Sequence, residues 1–556
     1  MLKVVLLAIN AKYVHSSLSV WVIAGGVARY AQHPHDVVVV EATINQQTSD
    51  IVDVVAKHAP DVVGISSYIW SAALLPELLK LLRERLPEAV FTLGGPEASN
   101  NVDFWLKRGA NYVLQGEGEY NFPQFLDTLA EGQMGQGDGS RQGDGSSVSL
   151  VRQKNRPPVS NRPPVSEPID PYTDAFFDAL TGRLSYIETS RGCPFQCSFC
   201  LSAGSTVQYF PLDTIKNQIF TLSQSSTKTL KFVDRTFNCN TDRAYKLFEY
   251  VIDLDTTCCF HFEVAADLFD DRTLSLLESA PPGRIQFEIG LQSFYEPALK
   301  ASSRIMDVEK SERNIRTLMQ IRNIHIHVDL IAGLPYEALI DFMNSFDRAY
   351  SLKTHTLQLG FLKLLHGSVL RKQAETYELQ YLPEPPYEII SSPWLSVEDL
   401  RILKHVENAL QHTRNKNRFL STLDYILTTT GERPFKLMQS LGANVPNHGT
   451  QLEEYVSQIY EFCAALPGIN KNTLQDNLTS DWLSMVKGKN TPAFMKNNDK
   501  SRDHVAAEAE KHLRRKIRRE EYAVLSSGKG IFVDSDDQNP VTGLYSVHTV
   551  PKGELH

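Results

Sequence analysis

The stretch RGCPFQCSFC, residues 191–200, places Cys193, Cys197 and Cys200 in one short loop. It directly follows RLSYIET, residues 183–189, which is predicted to form a β-strand. A structural zinc site needs four ligands, and no nearby cysteine or histidine supplies the fourth. A disulfide would leave one thiol unpaired. The spacing C-x3-C-x2-C therefore favours a [4Fe–4S] cluster in which one iron has no protein ligand.

Residues 183 to about 361 alternate six strand-like runs with helix-like segments. The six runs are RLSYIET, TLKFVD, CFHFEVA, RIQFEIG, HIHVDLIAG and HTLQLGF. Six βα units predict a partial (βα)6 barrel, whose reactive side lies at the C-terminal ends of the strands. We assign residues 173–365 to this barrel.

Residues 1–132 show the same alternation on a smaller scale. Five apolar runs rich in β-branched residues are separated by helix-like segments such as AALLPELLKLLRERL, residues 72–86. This pattern predicts a doubly wound α/β domain of Rossmann or flavodoxin type. No G-x-G-x-x-G motif follows the first run, which argues against a dinucleotide site.

The remaining segments differ in composition. Residues 133–172 are rich in Gly, Ser and Pro and predict a low-complexity linker, and residues 366–485 predict a mostly helical domain. Residues 486–556 form a polar tail of unknown fold, with one helix-compatible basic run and one possible hairpin, GKGIFVDSDDQNPVTGLYSVHTV.

The bulk composition excludes several classes of protein. The 556 residues carry a net charge of −9, so no global positive field indicates nucleic acid or an anionic membrane as a partner. No apolar run approaches the roughly 20 residues that cross a bilayer. Seven cysteines are too few for a disulfide scaffold in a chain of this length. We therefore expect a cytoplasmic protein.

The three-cysteine loop, placed after a first strand, resembles that of the radical S-adenosylmethionine (SAM) superfamily. The resemblance implies that SAM binds the open iron and is cleaved by one electron from the cluster. The strand-end residues look most like those of oxygen-independent coproporphyrinogen oxidase and its relatives, although VDRTFN replaces the usual Gly-Gly-Glu stretch. The implied SAM contacts are Phe199, Asp234, Glu263, Gln292, Arg304 and Asp329. Arg304 is the candidate partner of the SAM carboxylate.

The N-terminal domain resembles the cobalamin-binding domain that is fused to many radical SAM enzymes. The stretches GISSYIW, TLGGPEAS and VLQGEGEYNFPQF carry this likeness. The implied cobalamin contacts are Ser66, Tyr68, Gly94, Gly95 and Glu117. In residues 1–440 the chain is also similar to an uncharacterised bacterial subfamily of these proteins.

His15 occupies the histidine position of the D-x-H-x-x-G motif, whose histidine ligates cobalt in cobalamin methyltransferases. Tyr13 replaces the aspartate of that motif and Leu18 replaces its glycine. The carboxylate that orients a ligating imidazole is therefore missing. Two interpretations stay open, a cobalt ligand and a loop histidine that does not contact cobalt, and the second is favoured.

Three functional hypotheses follow from these features. The first is a cobalamin-dependent radical SAM methyltransferase acting on an unactivated carbon of a small molecule or peptide, with an external donor of flavodoxin or ferredoxin type. The second is a non-methylating relative that performs an oxidative cyclisation or rearrangement, and the third is a cobalamin- or redox-sensing protein. A methylthiotransferase is disfavoured because those enzymes carry three further N-terminal cysteines, and the first cysteine here is Cys193. The candidate residues of a substrate pocket are Lys363 and His366, just beyond the sixth strand, together with Tyr387 and Glu388.

Overall fold

The computed structural model describes residues 1–132, 168–445, 450–485, 491–495 and 501–550. It divides into two compact units, which are described separately. Unit 1 comprises Met1–Glu263, Ser302–Ile305 and Leu362–Ile390. Unit 2 comprises Val264–Ala301, Met306–Phe361 and Ser391–His556.

The first part of unit 1 is a parallel sheet with helices on both faces. Its strands are β1 (Lys3–Asn10), β2 (Asp36–Thr43), β3 (Val62–Ser66), β4 (Val90–Gly94) and β5 (Tyr112–Val113). Its helices are α1 (Leu18–Tyr30), α2 (Thr48–Ala56), α3 (Leu75–Arg85), α4 (Pro96–Asn100), α5 (Val102–Lys107) and α6 (Gly118–Ala130). The order β2-β1-β3-β4-β5 is that of a flavodoxin-like sheet, so the predicted fold class is confirmed.

The near-continuous apolar runs of these strands reflect burial on both sides of the sheet. Val5 and Leu7 of β1 pack into one apolar cluster with α2 and α3. Val4 and Leu6 pack into a second cluster with α1 and α6. Neither face of β1 reaches solvent, which is why its sequence shows no polar alternation.

The second part of unit 1 contains three parallel strands and the cysteine loop. Its elements are α7 (Asp174–Leu180), β6 (Ser185–Ile187), β7 (Ser190–Arg191), β8 (Gln208–Tyr209), α8 (Leu212–Ser223), β9 (Thr229–Phe232), α9 (Thr241–Asp253) and β10 (Cys259–Val264). Strand β9 pairs in parallel with both β6 and β10. The short antiparallel pair β7–β8 encloses the segment that carries the three cysteines.

The predicted linker, residues 133–172, lies mostly outside the described residues. Its last five residues are described and pack against the barrel strands rather than extending freely. Ile169 is buried, and the Tyr172 hydroxyl donates a hydrogen bond of 3.0 Å to the carbonyl of Tyr186. The domain boundaries themselves stay predictions.

Unit 2 begins with three further parallel strands and their helices. The elements are α10 (Asp271–Glu278), β11 (Ile285–Gln292), α11 (Glu296–Ala301), α12 (Val308–Ile321), β12 (His325–Ala332), α13 (Leu339–Ser351) and β13 (Thr356–Phe361). Strand β12 pairs in parallel with β11 and with β13. All six strands that the sequence predicts for residues 183–361 are therefore present.

A segment of unit 1 follows β13 in the chain. It contains α14 (Val369–Lys372) and β14 (Gln380–Tyr381), and it ends within β15 (Ile389–Ser391). The rest of unit 2 is mostly helical, as predicted, with α15 (Val397–His412), α16 (Leu420–Thr430), α17 (Pro434–Asn444), α18 (Leu452–Ala464) and α19 (Lys471–Met485).

The polar tail has a fold of its own. It consists of α20 (Arg502–Leu513), β16 (Tyr522–Val524), β17 (Gly530–Gln538) and β18 (Tyr545–Val550). The predicted hairpin is confirmed, since β17 pairs antiparallel with β18, and β16 adds a third strand. Leu483 of α19 packs with Ile531 and Val533 of this sheet. Among the described residues, no helix is both long and apolar enough to span a bilayer.

Candidate functional site

The cysteine loop has a backbone path that requires glycine at its start. Gly192 has φ +108°, and a Cβ there would lie 2.5 Å from the carbonyl oxygen of Thr206. This close approach turns the chain so that Cys193 and Cys197 are buried and Cys200 is partly exposed. None of the seven cysteines, all within the described residues, forms a disulfide. The three thiols are therefore available as ligands.

Several groups around the thiols suit a sulfur-ligated metal centre. The backbone N–H of Ser202 donates to Cys200 Sγ at 3.4 Å, and Thr236 Oγ1 lies 3.7 Å from Cys193 Sγ. Arg304 Nη1 donates to Cys197 Sγ at 3.6 Å. Burial raises the pKa of the Cys200 thiol, so its thiolate needs a cation or metal for stabilisation. Because N–H and guanidinium donors stabilise negative charge on sulfur, the donor set fits an iron–sulfur cluster.

The structure brings Arg304 to the cysteine loop. Its guanidinium lies over the Phe195 ring, with 6.0 Å between the guanidinium carbon and the ring centroid. Ser302 accepts a backbone hydrogen bond of 2.9 Å from Ser198, which ties the segment before Arg304 to the same loop. Arg304, the predicted partner of the SAM carboxylate, therefore lies beside the thiol of Cys197.

Asp234 follows β9 and is almost fully buried, with 1% of its surface exposed. Its carboxylate accepts hydrogen bonds from the Thr189 N–H at 3.0 Å, the Thr189 hydroxyl at 2.7 Å and the Ser190 hydroxyl at 2.5 Å. Burial raises the pKa of Asp234 to about 6, although these bonds oppose the shift. The side chain thus holds the strand that leads into the cysteine loop.

The other predicted SAM contacts lie on separate elements. Phe199 is partly exposed in the loop, and Glu263 is partly exposed near the end of β10. Gln292 ends β11 with φ +68°, an uncommon conformation for a residue with a side chain. Asp329 Oδ1 on β12 lies 3.0 Å from His327 Nε2.

Sequence reasoning missed Glu288 and His327. The ligand atoms of Glu288, His327 and Asp329 all lie within 4.8 Å of one another. Alternation in HIHVDLIA was the available signal, because residues two apart share one face of a strand. In β11 and β12 this face is partly exposed and polar while the other is buried and apolar. The trio has the chemistry to bind a polar substrate group or a divalent cation.

The strand ends of the N-terminal sheet present buried hydroxyls. Within the part of the chain that the structure describes, Ser66 Oγ, Ser67 Oγ and Thr92 Oγ1 are buried without a hydrogen-bond partner. Such groups are costly unless a ligand or water satisfies them. Ser66 ends β3 and Ser67 follows it, at the carboxyl end where a doubly wound sheet binds its ligand, and Thr92 lies in the middle of β4.

An exposed aromatic pair lies at the same edge. The rings of Tyr68 and Trp70 stack with centroids 4.4 Å apart and planes 6° from parallel. The indole N–H of Trp70 donates to the carbonyl of Ile9 at 2.9 Å, yet 43% of the Trp70 surface is exposed. Trp70 was missed by the sequence analysis, although GISSYIW contains it. A flat apolar surface of this kind suits a large planar ligand.

Gly94 and Gly95 differ in what surrounds them. Gly95 has φ +97°, and a Cβ there would lie 2.7 Å from the carbonyl oxygen of Ser67. A Cβ on Gly94 would meet its nearest neighbour, the carbonyl oxygen of Leu114, at 3.8 Å. Gly95 is therefore required by the fold, whereas Gly94 leaves open space. The orphaned hydroxyls and this open backbone fit a bulky cofactor such as cobalamin.

Glu117, a predicted cobalamin contact, lies in a cluster of ion pairs around Arg191. It forms an ion pair with Arg191 at 3.3 Å, and Arg191 also pairs with Glu119 at 2.7 Å and Glu188 at 2.6 Å. Arg191 precedes Cys193 by two residues. These carboxylates thus connect the start of α6 to the cysteine loop.

His15 is held by the first barrel strand. Its Nδ1 lies 2.5 Å from the Tyr186 hydroxyl, and its backbone forms an isolated parallel β-bridge with Leu184. Burial, with smaller contributions from Lys231 and other cations, lowers the pKa of His15. The imidazole is therefore neutral at pH 7, with one nitrogen engaged by tyrosine.

The two candidate substrate residues have different surroundings. Lys363 is exposed, whereas His366 Nε2 lies 3.2 Å from Asn101 Nδ2. The His366 ring also packs edge-on against Tyr387, with centroids 4.9 Å apart. Burial lowers the pKa of His366 to about 4. The structure therefore brings His366 to the loop between α4 and α5.

Sequence comparisons match three regions of the chain to protein families. Residues 4–126 match the B12 binding domain family, and residues 187–349 match the radical SAM superfamily. Residues 375–530 match a family described as a protein of unknown function, DUF4080.

Curated relatives include several methyltransferases. An uncharacterised methyltransferase of Pyrococcus horikoshii is 23% identical, over 58% of this chain and 73% of its own length. The cobalamin-dependent radical SAM methyltransferase TokK of Streptomyces tokunonensis is also 23% identical, over 59% of this chain but 51% of its own length. The hopanoid C-3 methylase of Methylococcus capsulatus is 32% identical over 25% of this chain and 28% of its own length.

Two solved structures share the fold. The radical SAM methyltransferase TsrM of Kitasatospora setae superposes with a TM-score of 0.54 at 17% identity, covering 73% of this chain and 88% of TsrM. The cobalamin-dependent radical SAM enzyme OxsB superposes with a TM-score of 0.57 at 12% identity, covering 86% of this chain and 78% of OxsB. At these identities the likeness establishes the fold alone.

Proposed function

Because the chain is a radical SAM protein with an N-terminal B12-binding domain, we propose that it is a cobalamin-dependent methyltransferase that acts on an unactivated carbon of a small molecule or peptide. One observation supports this proposal most directly. A loop with three cysteines that form no disulfide and the open strand ends of a B12-binding domain lie in the same compact unit. The methyltransferases among its relatives support methyl transfer as the reaction class.

The residues of the chain have distinct proposed tasks. Cys193, Cys197 and Cys200 hold the cluster, and Arg304 binds the SAM carboxylate beside it. Glu263, Gln292 and Asp329 are the further proposed SAM contacts. When bound, the cluster supplies the electron that cleaves SAM, and cobalamin carries the methyl group. An external donor of flavodoxin or ferredoxin type is the proposed electron source.

On the cobalamin side, the proposed contacts are backbone and small polar groups. Ser66 offers a buried hydroxyl, Tyr68 offers an aromatic face, and Gly94 leaves room for close approach. A large cofactor at these groups would also cover the exposed Trp70 side chain and exclude water from it. The first cysteine of the chain is Cys193, so no second N-terminal cluster competes for this region.

The test uses full-length protein reconstituted under nitrogen with iron, sulfide and hydroxocobalamin, then reduced in the presence of SAM and candidate substrates. A methyltransferase of this type releases both 5′-deoxyadenosine and S-adenosylhomocysteine with its substrate. Deoxyadenosine alone would instead identify a non-methylating enzyme. Bound cobalamin without any SAM cleavage would favour a sensing protein. For a variant that lacks one of the loop cysteines, Cys463→Ala is the matched control, since it removes a cysteine from α18 rather than from the loop.

A further inference from the structure

Residues 362–390 form a closed loop in unit 1, which we call the strap. The Leu364 N–H donates to the Tyr387 carbonyl at 2.9 Å, and the Ile389 N–H donates to the Leu362 carbonyl at 2.9 Å. Lys363 and Glu388 form an antiparallel bridge between these contacts. The two ends of the strap are therefore fixed to each other.

The middle of the strap contacts the cysteine loop. The Leu370 N–H donates to the Ser198 carbonyl at 2.8 Å, and Ser198 lies between Cys197 and Cys200. Ser368 caps the short helix α14 by accepting a hydrogen bond of 3.2 Å from the Arg371 N–H. Leu370 and Ser368 are both buried, so this contact is shielded from water.

The same strap contacts the segment after β4. The Tyr387 hydroxyl donates to Glu97 Oε1 at 2.6 Å, and both side chains are buried. His366 contacts Asn101, and a Cβ on Gly367 would overlap the side chain of Asn100. Glu97 lies two residues after Gly95, in α4, so these contacts fix the segment that follows the glycine backbone proposed to approach cobalamin.

The two contacts are close along the strap. Gly367 and Leu370 are three residues apart, which limits the distance between their Cα atoms to ~11 Å. The segment that carries Asn100 and the loop that carries Ser198 are thus joined by one short stretch of backbone. A displacement of either loop is transmitted to the other through few atoms.

Tyr387 is held in a conformation that only dense packing maintains. It has φ +57°, a region that residues with a Cβ seldom occupy. The Arg371 guanidinium lies over its ring, with 4.8 Å between the guanidinium carbon and the ring centroid. Arg371 is also a countercharge to Glu97, whose pKa is raised by burial. Such backbone strain is characteristic of sites where geometry is part of function.

We propose that Tyr387 and Glu97 are positioning residues that couple cobalamin binding at the β4 strand end to SAM binding at the cysteine loop. This inference rests on the proposed function, because it requires that both ligands bind. Coupling of this kind is reciprocal, so each ligand raises the affinity for the other by the same factor.

The test measures the Kd of SAM in full-length, cluster-containing protein with and without hydroxocobalamin. In the wild type, cobalamin lowers the Kd of SAM by about 5-fold or more. The measured quantity is the ratio of the SAM Kd without cobalamin to the SAM Kd with cobalamin. In Tyr387→Phe, which keeps the ring but removes the hydrogen-bond donor, this ratio falls to within about 2-fold of one. Glu97→Met removes the acceptor and gives the same loss, and the double variant adds nothing to either single variant.

Tyr381→Phe is the matched control, because Tyr381 lies on the strap and beneath Arg371, whereas the hydrogen bond to Glu97 comes from Tyr387. It keeps the wild-type ratio. A purely structural role for Tyr387 would weaken SAM binding equally with and without cobalamin, and the ratio would not change. That result, or a wild-type ratio of one with both ligands bound, overturns the coupling but not the proposed function. Failure of the wild type to bind cobalamin overturns both.

Discussion

The cysteine loop and the segment after β4 are both proposed to hold a metal-containing cofactor, but they are built from different chemistry. The loop presents three side-chain thiols with donors aimed at the sulfur atoms. The segment after β4 presents glycine backbone, and the neighbouring strands add unpartnered hydroxyls. Covalent ligation requires fixed residue types at a fixed spacing. Recognition by shape and backbone does not require fixed residue types, so most single side chains there contribute less to cofactor binding.

The largest effect is expected at the cysteines. Changing Cys193, Cys197 or Cys200 to alanine removes one of only three protein ligands, so the cluster is lost and SAM cleavage falls to background. Iron analysis and deoxyadenosine formation measure this. Cobalamin binding should persist, because its proposed contacts lie on the N-terminal sheet. A cysteine variant that retains four irons per chain and cleaves SAM would show that the ligands have been misidentified.

The contrast between the two regions also explains what sequence alone could predict. The spacing C-x3-C-x2-C was enough to predict the [4Fe–4S] cluster, because ligation of the cluster by three thiolates itself requires closely spaced cysteines. The positions of the strands followed from apolar runs such as KVVLLAIN, residues 3–10, which coincides with β1 because both faces of that strand are buried. The strand pattern thus predicted the fold class of both α/β regions.

The second prediction tests the role of backbone in the segment after β4. Gly95→Ala forces a Cβ to 2.7 Å from the Ser67 carbonyl at a positive φ, a strain of roughly 1–3 kcal/mol. Cobalamin binding, measured by absorbance after desalting, should weaken about 10-fold or more, because the competent loop conformation is depopulated.

Gly94→Ala is the control that sharpens this test. Its Cβ has no neighbour within 3.8 Å, so the loop itself tolerates the change. If the variant remains folded but loses cobalamin, then the ligand approaches the backbone at Gly94. If the variant binds cobalamin with the affinity of the wild type, Gly94 is not a contact, and the cofactor lies elsewhere along the carboxyl ends of the strands.

The contacts of the strap could not be read from the sequence. Glu97 lies in the quoted stretch TLGGPEAS, but it is 290 positions from Tyr387, and nothing in the sequence indicates that the two side chains meet. Asp234 was expected at the end of the second barrel strand and follows β9, but its hydrogen bonds from Thr189 and the ion pair of Glu117 with Arg191 depend on tertiary packing. Trp70 carries no spacing signal, and only its exposure in the fold makes it notable.

A third, smaller effect is expected at Arg304. Arg304→Lys keeps the positive charge near Cys197 but loses the planar pair of donors that suits a carboxylate. The Kd of SAM should rise about 10-fold, as expected when one charge-assisted hydrogen bond is lost. Iron content should not change. Arg401→Lys, at an exposed ion pair on α15, is the control and should leave SAM binding at the wild-type value. Loss of iron in Arg304→Lys would instead assign the guanidinium to cluster stability.

The smallest effect is expected at His15, where the sequence keeps only the histidine of a cobalt-ligating motif. Cobalt ligation requires an imidazole nitrogen free to approach the metal, with a second group orienting the ring. Here a tyrosine hydroxyl, that of Tyr186, engages Nδ1 in place of the carboxylate of the motif, and the backbone of His15 forms a β-bridge with Leu184. The ring therefore lacks the charged partner that raises the basicity of a ligating imidazole. His15→Ala should therefore leave cobalamin affinity within about 2-fold of the wild type, well below one tenfold step of 1.4 kcal/mol. The EPR spectrum of the cob(II)alamin form is the decisive measurement. Nitrogen hyperfine splitting that is present in the wild type and absent in the variant would identify His15 as a ligand.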